Sequence, residues 1–174
     1  MAGRVPIRTE RLVLRDLCEA DVPALVAGLS PFEVSGWLTV VPHPYTEADA
    51  RAFIAATAAR PGHDGWGIED RTGALVGVIG IAETLGFWLA RPYQGRGYAT
   101  EAARALFDHY FASTAAEDLV SGHFEGNHPS FHVLEKLGFR RDGDERVWSR
   151  AQGMDMVLHR MRLSRARWET APRD

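Results

Sequence analysis

Cysteine is almost missing from this chain: Cys18 is the sole one. An intramolecular disulfide and a thiolate-built zinc cage are therefore excluded, and a reducing cytosol is the expected setting. Cys18 itself reads as a small buried apolar residue. Long hydrophobic runs are missing too. No stretch approaches the ~20 apolar residues of a membrane span, and the opening MAGRVPIRTERL holds no apolar core of signal-peptide length. A cytoplasmic protein with no membrane partner is expected. Positive charge is not in excess, since 20 Lys and Arg stand against 23 Asp and Glu for a formal net charge of −3. A dedicated nucleic-acid binder would carry a basic face able to displace counterions from phosphate, so no nucleic-acid partner is expected.

What is present suits one core. A chain of 174 residues, 45% of them hydrophobic, is long enough for one globular domain and short for two, so a single domain over 1–174 is expected. RLVLRDL alternates Leu12 and Leu14 with polar neighbours, the pattern of a half-buried strand. Val22, Leu25, Val26 and Leu29 then recur at helical spacing, and Thr46 opens a second helix with Glu47 and Asp49 in its first turn. GWGIED and ALVGVIGIAE flank the turn signal RTG and read as a hairpin; TLGFWLA follows as another strand.

From Tyr98 to Phe111 the helical signal is strongest: Ala99, Ala102, Ala103, Leu106, Phe107, Tyr110 and Phe111 form one stripe, while Thr100, Glu101, Arg104 and Asp108 point away. LVSGHFE reads as a strand, PSFHVLEKL as a short helix stopped by Gly138, and two strands near 139–148 and 154–163 close the fold ahead of a charged tail, 164–174. This order predicts an α+β (mixed α/β) architecture with helices on both faces of a mixed sheet.

Between TLGFWLA and the strong helix lies RPYQGRGYAT. The first amides of a helix have no partner within it, and the peptide dipoles add a partial positive charge there. Gly95 and Gly97 remove side chains that would hold an anion off that backbone, and Arg96 can add a charged contact. The turn reads as a phosphate cradle. A P-loop would need Lys where Tyr98 stands, and a dinucleotide fingerprint would need a small residue where Thr100 stands. The pattern satisfied is Gln/Arg-x-x-Gly-x-Gly/Ala, through Gln94, Gly97 and Ala99.

Three stretches in order, TERLVLRDLCEADVPAL, RPYQGRGYATEAARAL and GNHPSFHVLEKLGF, resemble the GNAT superfamily of acetyl-coenzyme-A-dependent N-acetyltransferases, in particular its RimJ/RimL-like (ribosomal-protein N-terminal acetyltransferase-like) branch. The resemblance implies a mostly antiparallel sheet of about seven strands that splays between the fourth and fifth, FWLA and SGHFE. It also implies acetyl-CoA as co-substrate, with the diphosphate on Gln94, Gly95, Arg96, Gly97, Tyr98, Ala99 and Thr100. Phe87, Trp88 and Leu89 would run along the pantetheine arm, Asn127 would contact it, and Lys136 would approach the phosphates. A homodimer is the family habit.

Acetyl transfer to an amine needs a neutral nucleophile, a polarised carbonyl and a proton for the departing thiolate. Many family members place a Tyr where this chain has Leu134. Ser130, three residues after Asn127 as is common in this branch, is the substitute, with a helix-capping serine as its structural alternative. For the base, alternation puts Ser121, His123 and Glu125 on one face, and Glu83 ends the preceding strand; Glu83, Glu125 and His123 stay open as candidates. His128 and His132, four apart, lack a third ligand and read as a solvated helix face, so no metal is expected.

Trp37 and Trp66 fall in segments that line the acceptor cleft in the family, with core aromatics as the alternative. The proline-punctuated loop 30–46 would cover that cleft. The expected function is acetyl transfer to a primary amine, on a protein N-terminus, an amino acid or a small amine such as an amine antibiotic. A non-catalytic acyl-CoA sensor on the same fold and a nucleotide-dependent oxidoreductase are the competing readings.

Overall fold

The computed structural model describes residues 3–60 and 62–172. Two antiparallel sheets are formed. The first has the order β1-β2-β3-β4-β5, from Ile7–Arg8, Leu12–Asp16, Trp66–Asp70, Leu75–Ile81 and Leu85–Leu89. The second has the order β6-β8-β7, from Asp118–Phe124, Met154–Ser164 and Arg140–Ser149. β5 and β6 are therefore both edge strands, and they face each other without a shared ladder. This is the expected splay, with the two-residue β1 added beside β2.

α1 (Val22–Leu29), the short α2 (Phe32–Ser35) and α3 (Glu47–Ala58) cover one face, where Leu25, Leu29, Val34 and Ala50 pack with Leu17 and Val78. α3 starts where the sequence predicts: Thr46 Oγ1 accepts from the Asp49 amide, and the Asp49 carboxylate accepts in return from the Thr46 amide. α4 (Tyr98–Ser113) covers the other face, burying Ala99, Ala102, Ala103, Leu106, Phe107 and Phe111 against Leu12, Leu14, Ile68 and Ile79.

Strand β4 serves both faces because of a bulge. Its pairing with β3 jumps from Gly77 to Leu75 as β3 advances from Ile68 to Glu69, which leaves Val76 as the extra residue. Val76, Ile79 and Ile81 then share the α4 face while Val78 meets α1 and α3. Simple alternation would have put Val76 with Val78. Gly28 of α1 allows a close approach, since a Cβ there would lie 2.6 Å from the Trp88 ring.

α5 (His128–Lys136) and α6 (Arg165–Thr170) complete the chain. Two sequence expectations are corrected. The segment from Ser164 onward is not a free charged tail through its described part: Ser164 caps α6, and Trp168 is 7% exposed, edge-on to Phe107 at 5.3 Å between ring centres. One large aromatic outweighs its charged neighbours, which need only stay outward. Residues 173–174 lie outside the described residues. Cys18 is exposed rather than buried, because it precedes the single turn Glu19–Asp21, where its amide donates to the Asp21 carboxylate at 2.8 Å.

Candidate active site

A cleft of about 620 Å³ opens between the two sheets. Phe87, Trp88 and Leu89 of β5 line one wall, and Val120, Gly122 and Phe124 of β6 line the other. The start of α4 closes one end, and Val34, Trp37 and Leu38 from the loop after α1 cover it. The loop thus sits over the cleft, as the family resemblance implies. It carries the short helix α2 within it.

At the α4 end, Gly95 and Gly97 hold left-handed backbone, with φ of +74° and +78°. Each is the residue that meets this geometry without strain. Gly97 is the N-cap of α4 and offers no side-chain cap, whereas Thr46, Asn127 and Ser164 cap their own helices. The first amides of the longest helix are thus left to the cleft, which Tyr98, Ala99 and Thr100 line directly. Gln94 fixes the turn by donating from Nε2 to the Leu89 carbonyl at 2.9 Å.

A second brace comes from the start of the chain. Arg11 donates from Nη1 to the Arg96 carbonyl at 2.9 Å and from Nε to Glu101 Oε2 at 2.7 Å, and stacks on the Tyr98 ring at 4.9 Å. Glu101 therefore does not point idly into solvent; it also accepts from Thr9 Oγ1 and the Arg11 amide. Burial alone would raise its pKa, but these bonds and the Arg11 charge hold it below the ordinary carboxylate value. The Arg96 side chain lies outside the cleft lining, exposed above the Tyr93 ring at 5.6 Å. Its carbonyl, gripped by Arg11, is the part of this residue that shapes the turn.

On the opposite wall Asn127 is 7% exposed and caps α5, its Oδ1 accepting from the Ser130 amide at 3.3 Å. The helix cap is therefore Asn127, and the Ser130 side chain lines the cleft instead of capping. Lys136 lines the same cleft from the last turn of α5. Leu134, where many family members place Tyr, is fully buried.

The three base candidates separate. His123 lines the cleft and also a second depression, where its ring packs on Phe131 and His159; Glu83 and Glu125 do not line the cleft. Glu83 sits exposed in the β4–β5 turn, and Glu125, one residue past the end of β6, lines that second depression with His128 and Phe131. His123 Nδ1 lies 3.2 Å from the Phe124 carbonyl, which assigns the proton of the neutral ring to Nδ1 and leaves Nε2 as its basic atom. Burial lowers its pKa below 6.5, against the opposing pull of the Phe124 carbonyl, and the nearby Arg141 charge adds to the lowering.

Of the tryptophans, Trp37 lines the cleft, 38% exposed. Trp66 does not. It is 1% exposed in the core beneath the Arg4 guanidinium, 3.9 Å above the ring, because its register opposite Ile79 turns it toward α4. Sequence reasoning missed Glu33, Glu145 and Arg160, which also line the cleft. Glu145 and Arg160 lie on β7 and β8, strands whose charge-rich sequence reads as solvent-facing. Among the described residues no three His, Cys, Asp or Glu side chains gather as a metal would need, and His128 and His132 are both exposed. No helix of the described residues is long and apolar enough to cross a membrane.

A splayed sheet with an uncapped, glycine-built helix start at its mouth defines the class of protein, an acyltransferase fold. Residues 11–140 match the acetyltransferase (GNAT) domain. The chain is 29% identical over 145 residues to "Uncharacterized N-acetyltransferase YnaD" of Bacillus subtilis (strain 168), covering 79% of this chain and 84% of that one. Among solved structures, Mycobacterium smegmatis RimJ in complex with CoA-disulfide superposes with a TM-score of 0.76 at 20% identity, over 97% of this chain and 88% of that one. RimL, a ribosomal L7/L12 alpha-N-protein acetyltransferase in complex with coenzyme A, gives 0.77 at 20% identity, over 92% and 98%. The chain belongs to the acetyltransferase (GNAT) family and is an acetyltransferase enzyme; it shares its fold with RimJ and RimL. The oxidoreductase reading falls with that assignment.

Proposed function

We propose that this cleft binds acetyl-coenzyme A and a primary amine together and passes the acetyl group directly between them. The observation that carries the reading is the pair of facing, unpaired strand edges, β5 and β6, leading to a helix start that no side chain caps. The residues present fit the coenzyme. Backbone from Gln94 to Thr100 would hold the diphosphate, with Lys136 beside it, and a Cβ at Gly95 would meet only open space, so the cradle is accessible. The free edge of β5 at Phe87–Leu89 would pair with the pantetheine amides as another strand would, opposite the Asn127 side chain. When bound, acetyl-coenzyme A supplies the activated acetyl group and departs as a thiol.

His123 is the base in this reading: it is the one of the three candidates in the cleft lining, burial holds its pKa below 6.5, and its Nε2 would take a proton from the amine, directly or through water. Ser130 presents a hydroxyl, freed from capping, to steady charge on the sulfur. Its contribution is modest because a serine hydroxyl is a poor acid; holding two substrates in one cleft supplies much of the acceleration. The proposal sets one catalytic domain in the cytoplasm, with a dimer after the habit of the family. Protein N-termini, amino acids and small amines are the acceptor classes.

Calorimetry with acetyl-coenzyme A and with NAD, followed by thiol release against a panel of amines and peptides, tests this. Binding of acetyl-coenzyme A but not NAD, with turnover on some amine, is expected. A protein that binds the coenzyme yet turns over no amine would instead be a sensor, and one that binds NAD alone would sink the reading.

A further inference from the structure

Arg160 lies at mid-length of β8, paired directly opposite Gly122 of β6, and lines the cleft. Its Nε is shielded from solvent, and no group among the described residues accepts its proton. Two residues along the same strand face, Arg162 is bound by both Asp118 and Asp142. The contrast is chemical. A guanidinium donor withdrawn from water and unpaired costs stability unless something else satisfies it.

Gly122 opposite carries no side chain to cover Arg160, and a Cβ there would crowd Leu158 at 3.0 Å. Phe87, Phe124 and Leu158 share the lining with it. Of the two carboxylates that join it, Glu33 is already held by Arg91 at 3.0 Å on the rim, and Glu145 enters from β7, opposite Leu158. Besides Lys136 at the end of α5, the cleft therefore presents on β8 a guanidinium whose shielded Nε has no acceptor among the described residues, with Glu145 as the other carboxylate of the lining. A planar fork of donors in such a place selects a carboxylate, through charge-assisted and often bidentate bonds.

We infer that Arg160 reads the acceptor, and that the preferred acceptor is an amine bearing a carboxylate close to its amino group. A free amino acid and the acidic first side chain of a peptide share that chemistry. This rests on the cleft being an acetyl-acceptor site, and deepens that reading by naming the acceptor's charged partner.

The test uses matched pairs: amino acids against their amides, and peptides beginning with Asp or Glu against those beginning with Asn or Gln. Binding to the coenzyme-A-saturated protein is measured by calorimetry, and turnover by thiol release. The carboxylate member of one family of pairs is expected to win by about tenfold or more in Kd and kcat/KM, and the family that wins identifies the source. Arg160→Met should bring that ratio close to one, Arg160→Lys should restore part of it, and the Kd for coenzyme A should stay as in the parent protein. Equal handling of acid and amide by the parent protein, absence of any carboxylate binding, or a ratio untouched by Arg160→Met would overturn the inference. Coenzyme A affinity, measured separately, judges the underlying reading: its loss in the parent protein would remove both.

Discussion

Ser121 Oγ donates to the Leu85 carbonyl at 3.0 Å, joining β6 to β5 across the gap between the two sheets. Both residues are buried. Leu85 begins β5 and Leu89 ends it, so the bridge pins the strands at one end of β5 while the cleft lies open toward Leu89 and the glycine turn. A sheet that closes by one side-chain bond at its root and opens at its tip holds a ligand between its edges without losing its core.

Gly97→Asp is expected to abolish coenzyme A binding while the far-UV spectrum and unfolding midpoint change little. Asp accepts left-handed backbone better than most residues, so the cost to folding is about 1 kcal/mol. The lost affinity reports the negative charge placed where the α4 amides converge. Gly97→Ala, which adds similar backbone strain without charge and sets its Cβ 3.4 Å from Arg11 Nη2, should weaken binding far less. Equal affinities for all three proteins would remove the cradle.

Ser130→Ala should lower kcat by about tenfold with little change in KM or in coenzyme affinity. Helix α5 keeps its cap, because Asn127 accepts from the Ser130 backbone amide, which survives the substitution. A kcat equal to that of the parent protein would leave Ser130 as a wall residue.

The acid limb of the kcat/KM profile should follow His123. Burial holds its folded pKa below 6.5, so the ring is neutral and basic above that inflection, and activity falls as protonation proceeds below it. The sign for stability is the same: the unfolded chain takes up a proton at higher pH than the folded one, so folding weakens as pH drops below about 6.5. Circular dichroism across the titration separates the two effects. His123→Gln should cost about a hundredfold in kcat/KM and remove the inflection; an unchanged acid limb would move the base elsewhere.

Trp168→Ala is expected to destabilise the protein by about 3 kcal/mol in urea unfolding, since it empties the space against Phe107 and releases α6 from α4. Trp168 Nε1 also donates to Asp108 at 3.1 Å. A loss below about 0.5 kcal/mol would mean the helix is dispensable to the core.

Legibility in the sequence tracked how local each signal was. The α4 stripe and the Thr46 cap are set by spacing within one or two turns, and both appear where predicted. Tyr110 of that stripe is only partly buried, at the margin of the face. The base assignment was not legible: His123 and Glu125 alternate onto one face in the sequence, and only the folded chain puts His123 in the cleft lining and leaves Glu125 out of it. Trp66 and Trp37 could not be sorted either, because strand register turns one toward α4 and leaves the other on a covering loop.

By itself, the sequence determined the longer strands and helices and the glycine turn, though not β1, α2 or α6, since helix periodicity, capping and positive-φ demands act between residues a few positions apart. Only the tertiary structure decided which polar groups share a cleft. Arg160 is separated from Gly95 by much of the chain, and its place opposite Gly122 follows from the register of β8 on β6, a long-range pairing that no local pattern encodes. The physical reason is that a strand's register is set by what its two faces bury, and those partners come from elsewhere in the fold.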